Sequence, residues 1–237
     1  MNRPMHLWRY GQFGLPVIVF PSAAGMAHEW EAHGMLDVLA DWVNAGKIKL
    51  YCTESNVAEA WTRREQPAEW RIQRHAAYER YIVEELVPYV REDCRSESIP
   101  IASTGTSLGA YYAANFSLKY PEAFRWALCM SGRYDTSWLN DGAHSEAIYL
   151  NNPMAYVPNL EGDALERVRK QTHLVLVCGQ GKYEEGNIED TQMLGRLLSS
   201  KGISNECDLW GHDVSHEWGW WKRQARHHLG RLIDANG

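Results

Sequence analysis

The chain has 237 residues, 45% hydrophobic and 23% charged, enough for one large core, short for two ordinary domains, and unlike a disordered chain. A formal net charge of −6, from 24 Lys and Arg against 30 Asp and Glu, disfavours nucleic acid or an anionic membrane surface as a partner, since either asks for a basic face. No apolar run approaches the roughly 20 residues that span a bilayer, and the five cysteines (Cys52, Cys94, Cys129, Cys178 and Cys207) form no metal-ligand spacing.

In chain order, MNRPMHLWRYGQFG lacks the apolar stretch of a secretory signal. With reduced cysteines the expectation is a cytoplasmic protein. LPVIVF (15–20) reads as a strand, MLDVLADWVNAG (35–46) as a helix closed by Gly46, and KIKLYC (47–52) as a strand. A long helical stretch follows at 68–93. It sets Ile72, Tyr78, Ile82 and Leu86 on one stripe, and Pro88 should kink or shorten it. IPIAS (99–103) is the next strand and 107–121 a helix rich in small residues that stops at Pro121. RWALCMS (125–131) is a strand, after which 132–172 has no clear period and could form a small lid or insertion over the strand ends. HLVLVC (173–178) and ECDLW (206–210) are strands, and 189–202 and 217–235 are helices. Near-continuous apolar strands alternating with helices imply a mostly parallel sheet with helices on both faces, in a single domain over 1–237. Most of the eleven tryptophans, three of them at Trp218, Trp220 and Trp221, are expected to pack, because a buried indole supplies a large apolar surface.

Gly105-Thr106-Ser107-Leu108-Gly109 fits G-x-S-x-G. Alone the pattern is weak, but here a strand precedes it and Ala110, Ala113 and Ala114 follow on a helix. A sharp strand-to-helix turn strains the serine backbone and needs small residues two positions to either side. The helix N-terminus behind it carries partial positive charge where an oxyanion would form. Ser107 is therefore the candidate nucleophile.

A serine nucleophile needs a base. His227 and His228 fall inside the last helix, whereas His212 and His216 lie in the loop after the last strand, where the histidine of a Ser…acid…His order belongs. Position alone does not choose between those two. In this order the acid follows the penultimate strand, giving Glu184, Glu185, Glu189 and Asp190 as candidates. Glu189 and Asp190 suit a helix N-terminus for its dipole alone. Asp135, at the end of the preceding strand, is a further source.

HEWGWW (His216-x-Trp218-x-x-Trp221) resembles the H-x-W-x-x-W signature of the esterase group of α/β-hydrolases that includes esterase D, enterochelin-esterase-like proteins and mycolyltransferases. VIVFPSAAG, GTSLGAYYAANFSLKYPEAF, LCMSGRYD and NNPMAYVPNL occur in the same order as in a bacterial branch of that group, so the resemblance spans most of the chain. It implies the α/β-hydrolase fold, with His216 as base and the tryptophans packing the helix that follows. It favours Glu184 as acid, ahead of Glu185 and then Asp135, although the loop departs from a plain G-x-x-D pattern. The oxyanion donors it implies are the backbone N–H of Leu108 and, by alignment on the group's early turn, of Ala23.

The expected activity is a serine esterase acting on a small-molecule ester through an acyl-enzyme, with no metal or organic cofactor. An acyltransferase using the same residues and a non-catalytic binding protein on the same fold are the alternatives. A homo-oligomer is left open.

Overall fold

Seven short runs, most of them apolar, pair into one sheet in the computed structural model, which describes residues 1–236. The elements are β1 (Leu7–Tyr10), β2 (Leu15–Phe20), α1 (Glu29–Ala32), α2 (Met35–Asn44), β3 (Ile48–Thr53), α3 (Ala68–Arg80) and α4 (Val87–Asp93). They continue with β4 (Ile101–Thr106), α5 (Leu108–Lys119), β5 (Phe124–Met130), α6 (Glu146–Tyr149), α7 (Pro153–Tyr156) and α8 (Gly162–Gln171). The chain closes with β6 (His173–Cys178), α9 (Asn187–Ser200), β7 (Asn205–Leu209) and α10 (Trp218–Asn236). Strand order is β1-β3-β2-β4-β5-β6-β7, with β1 antiparallel to β3 and every other pair parallel.

The pleat sends alternate strand residues to opposite faces. Ile18, Phe20, Tyr51, Ile101, Leu174 and Leu176 pack on one side with Ile72 and Tyr78 of α3, Phe116 of α5 and Leu194 of α9. Val17, Val19, Leu50, Ala102, Leu128 and Val175 pack on the other with Leu39 of α2 and Leu229 of α10. Helices thus cover both faces, as the alternation of elements predicts. Among the described residues, no helix is long and apolar enough to cross a membrane.

Three departures from the sequence reading have physical causes. β1 is short, half-exposed and at the sheet edge, so it carries no continuous apolar run. The stretch 68–93 is helical throughout, but a π-helical turn (Tyr81–Leu86) separates α3 from α4. Pro88, with no N–H and a ring that crowds the preceding turn, follows immediately, and the wider turn accommodates it. Ile82 and Leu86 stay buried all the same. Finally, β4 runs on to Thr106 through residues that look like a polar loop. It can do so because they are small and their backbone pairs with β2 as far as Gly105 and with β5 as far as Thr106.

The stretch 132–172 holds a 3₁₀ turn (Ser137–Leu139), α6, α7 and the unanticipated α8, whose buried face is only Leu165 and Val168. Polar side chains tie it to the helices below. Asn151 Oδ1 accepts from Asn115 Nδ2 at 3.0 Å and Lys119 Nζ at 3.2 Å, and lies 3.0 Å from His75 Nε2. Burial drives the His75 imidazole down to about 4, so the neutral ring donates. Buried Arg71 donates to the Leu139 carbonyl at 2.6 Å and pairs with Asp141 at 2.5 Å.

At the sheet centre, Ser107 turns the chain from β4 into α5 with φ 55° and ψ −121°, a conformation that non-glycine residues rarely adopt. A Cβ on Gly105 would lie 2.3 Å from the Gly109 carbonyl carbon, and one on Gly109 would lie 2.3 Å from the Phe20 oxygen. β4, α5 and the end of β2 therefore meet backbone to backbone. Gly109→Ala should force them apart and lower stability by about 1–3 kcal/mol, read as a drop in the urea midpoint. An unchanged midpoint would contradict that contact.

Candidate active site

Parallel register aligns the C-terminal ends of three neighbouring strands. Thr106 pairs with Met130, and Met130 with Val177. The ladder continues one residue further, Ser107 N donating to Met130 O at 2.9 Å and Ser131 N to Val177 O at 2.7 Å. Ser107, Ser131 and Cys178 consequently emerge in one rank along the sheet edge.

Two later loops close over that rank. Gly181 N donates to Val214 O at 2.8 Å and His216 N to Lys182 O at 3.0 Å, which staples the loop after β6 to the loop before α10. His216 Nε2 then lies 3.1 Å from Ser107 Oγ, and its Nδ1 lies 3.0 Å from Glu184 Oε2. The second distance assigns the Nδ1 proton to the carboxylate and leaves Nε2 free to accept from the serine hydroxyl. The Trp221 and His216 rings form a T-shaped pair, 4.8 Å between centroids and 86° between planes.

Glu184 is fully buried. Ser131 Oγ donates to its Oε1 at 2.5 Å, and Asn187 Nδ2 to its Oε2 at 2.9 Å. The Cys178 thiol, pushed up by burial and by the adjacent carboxylate, sits 3.5 Å from the same Oε2 as a weak donor. Burial on its own would raise the Glu184 carboxyl, but the hydrogen bonds from His216, Ser131 and Asn187 outweigh it and hold the group below its ordinary value. The carboxylate is therefore ionised at neutral pH.

The loop after β2 folds back over the serine turn. Gly25 N donates to Ser22 O at 2.8 Å, closing a tight turn with Ala23 at φ 41°. Glu29 of α1 fixes it from behind, accepting from Ser22 N at 2.8 Å and Ser22 Oγ at 2.7 Å. Leu108 is the first residue of α5. Among the described residues, neither the Ala23 nor the Leu108 N–H has an acceptor within the protein.

The other candidates lie elsewhere. Glu185 and His212 are exposed, and among the described residues His212 has no side-chain partner. Asp135 Oδ1 accepts from Ser137 N and Asn152 Nδ2, both at 2.9 Å. Glu189 caps α9 by accepting from Gly186 N at 2.6 Å. Asp190 does more than suit the helix dipole, accepting from Tyr134 N at 2.8 Å and Asp135 N at 2.9 Å. Buried His228 lies 3.1 Å from Asp208. With Glu206 these two residues place ligand atoms within 4.8 Å of one another. That cluster is already engaged, Glu206 by a two-pronged pair with Arg231 at 2.7 and 2.8 Å and Asp208 by Trp210 Nε1 at 2.9 Å. Ser131 and Asn187 are absent from the sequence reading. The only signal for Ser131 is a serine closing an apolar strand next to the one that delivers Ser107.

The sequence matches the model of the family described as "Putative esterase" over residues 15–232. Among solved structures, a ferulic acid esterase superposes with a TM-score of 0.69 at 17% identity, covering 94% of this chain and 86% of its own. An S-formylglutathione hydrolase from Agrobacterium tumefaciens gives 0.70 at 15%, with 98% and 90% covered. The S-formylglutathione hydrolase of Staphylococcus aureus gives 0.67 at 14%, with 93% and 82% covered. No curated protein matches the chain significantly. The likeness at these identities is one of fold, and the fold is that of the α/β-hydrolases.

Because the folded state depresses the Glu184 carboxyl, its stabilising effect is complete above the ordinary carboxylate value of about 4.3 and is lost as pH falls through the lower folded value. Urea midpoints of the wild type and Glu184→Gln should thus differ most near neutral pH and converge in acid. A constant gap down to the acid limit would mean that the charge of Glu184 contributes nothing.

Proposed function

The chain belongs to the family described as "Putative esterase", and from that premise we propose that it is a serine esterase using Ser107 as nucleophile, His216 as base and Glu184 as the acid behind the ring. The observation that carries the reading is the unbroken series of contacts from Ser107 Oγ to His216 Nε2, 3.1 Å, and from His216 Nδ1 to Glu184 Oε2, 3.0 Å.

His216 Nε2 takes the Ser107 proton as Oγ attacks the acyl carbonyl carbon. The carbonyl π electrons move onto oxygen, and the N–H groups of Ala23 and Leu108 hold that oxyanion, each donor being worth about 2.7–4 kcal/mol in the transition state. When the tetrahedral species collapses, the bond to the alcohol or thiol breaks and the leaving group takes the proton from His216. Water then attacks the acyl-enzyme, again giving a proton to Nε2, and the acid leaves as Ser107 regains its hydrogen. Glu184 stays ionised throughout, orienting the ring and stabilising its cation.

Water is the favoured acceptor, because the turn that carries Ala23 is exposed and Ser107 is only partly covered. The similar structures are named for a ferulic acid esterase and for S-formylglutathione hydrolases. Those names differ in the acyl and leaving groups they imply, which supports a reaction class, hydrolysis of an ester or thioester, more than any one substrate.

A fluorophosphonate probe should label the wild type and not Ser107→Ala. On p-nitrophenyl esters of graded chain length, His216→Ala should lose about 10⁴–10⁶-fold in kcat, whereas His212→Ala keeps most of its activity. Probe labelling that survives Ser107→Ala, or the opposite ranking of the two histidines, would displace this assignment.

A further inference from the structure

We propose that Trp221 and Ser131 form a positioning relay behind the acid, in which the indole N–H fixes the direction of the Ser131 hydroxyl and that hydroxyl proton fixes Glu184 for His216. The relay presupposes the Ser107, His216 and Glu184 roles given above.

The direction of each bond follows from donor chemistry. Trp221 Nε1 lies 3.0 Å from Ser131 Oγ, and an indole N–H can only donate. The serine oxygen must therefore accept from it. Ser131 Oγ is also 2.5 Å from Glu184 Oε1, and an ionised carboxylate can only accept. The hydroxyl proton is thereby committed to Glu184, without rotational choice. Trp221, Ser131 and Glu184 are 5%, 1% and 0% exposed, so water does not compete and each bond polarises the next.

The relay divides the carboxylate between two tasks. Oε1 is taken by Ser131, from the end of β5. Oε2 faces His216 from the loop before α10, Asn187 from α9 and the un-ionised thiol of Cys178 from β6. Among the described residues, His216 is the one other titratable group whose charge could answer that of Glu184 within this cluster. Without a donor on Oε1 the carboxylate could turn about its own axis and would be more basic, holding the imidazolium more tightly.

The local backbone is arranged for this contact. Ser131 adopts φ 54° while its N–H remains in the ladder with Val177, an uncommon conformation for a residue with a side chain. Trp218, the other tryptophan of the histidine motif, stacks on His33 with 4.2 Å between centroids and 5° between planes. The two tryptophans therefore serve different ends. Trp218 packs between segments, while Trp221 meets the base in a T-shaped ring contact and the acid through Ser131.

The test reads pH profiles, where a merely structural role leaves no mark. In Ser131→Ala the acidic limb of kcat/KM should move to higher pH and kcat should fall about tenfold or more, with KM within about twofold. Trp221→Phe keeps the ring but not the N–H, so it should move the limb the same way by less. In the Ser131→Ala background it should add no further shift, because its N–H acts only through that hydroxyl. An unmoved limb in Ser131→Ala, or additive shifts in the double variant, overturns the relay. Should Trp221→Phe not fold, the Ser131→Ala limb alone decides. Ser107→Ala separates the two levels: if it retains turnover the triad reading fails, whereas if it is inactive an unmoved limb defeats the relay alone.

Discussion

A carboxylate removed from water has to receive its hydrogen bonds from the protein, and the arrangement around Glu184 follows from that requirement. Its donors come from four places: the end of β5, the end of β6, the start of α9 and the loop before α10. Unpaired, such a group would take up a proton or cost several kcal/mol to bury. Paired as it is, burial becomes useful. The low-dielectric surroundings strengthen the interaction with the imidazole ring, and the competing hydrogen bonds keep the acid ionised.

The sheet makes this convergence cheap to build. In a parallel sheet the strand ends lie level, so the residues that follow them are neighbours whatever their separation in sequence. Ser107, Ser131 and Cys178 occupy one such rank because Thr106, Met130 and Val177 share a register. Glycine at 105 and 109 then lets the backbone of the serine turn sit against the end of β2, where the chain leads into the Ala23 turn. Glu29, accepting from both donors of Ser22, keeps that turn closed.

What the sequence discloses depends on how local each determinant is. The serine turn is legible because its steric demands fall on residues two positions away. Most strands are legible because burial on both faces leaves near-continuous apolar runs, and β1 is not, since an edge strand of four half-exposed residues needs none. His212 and His216 are equivalent by position, and only the tryptophan spacing of a resembling group separates them. Glu184 and Glu185 are adjacent, with the first buried and the second exposed. That difference is created by the fold and has no trace in the composition of the loop. Ser131 is hidden for a related reason: as the residue closing an apolar run it looks like a strand terminus, and its importance emerges only once register is known.

The contact from Ser107 to His216 closes over 109 residues. A polypeptide emerging from the ribosome can form β2, β3 and β4 and the serine turn well before the histidine has been synthesised. The nascent protein therefore holds Ser107 without its imidazole partner until the loop before α10 has been made and has docked against the loop after β6.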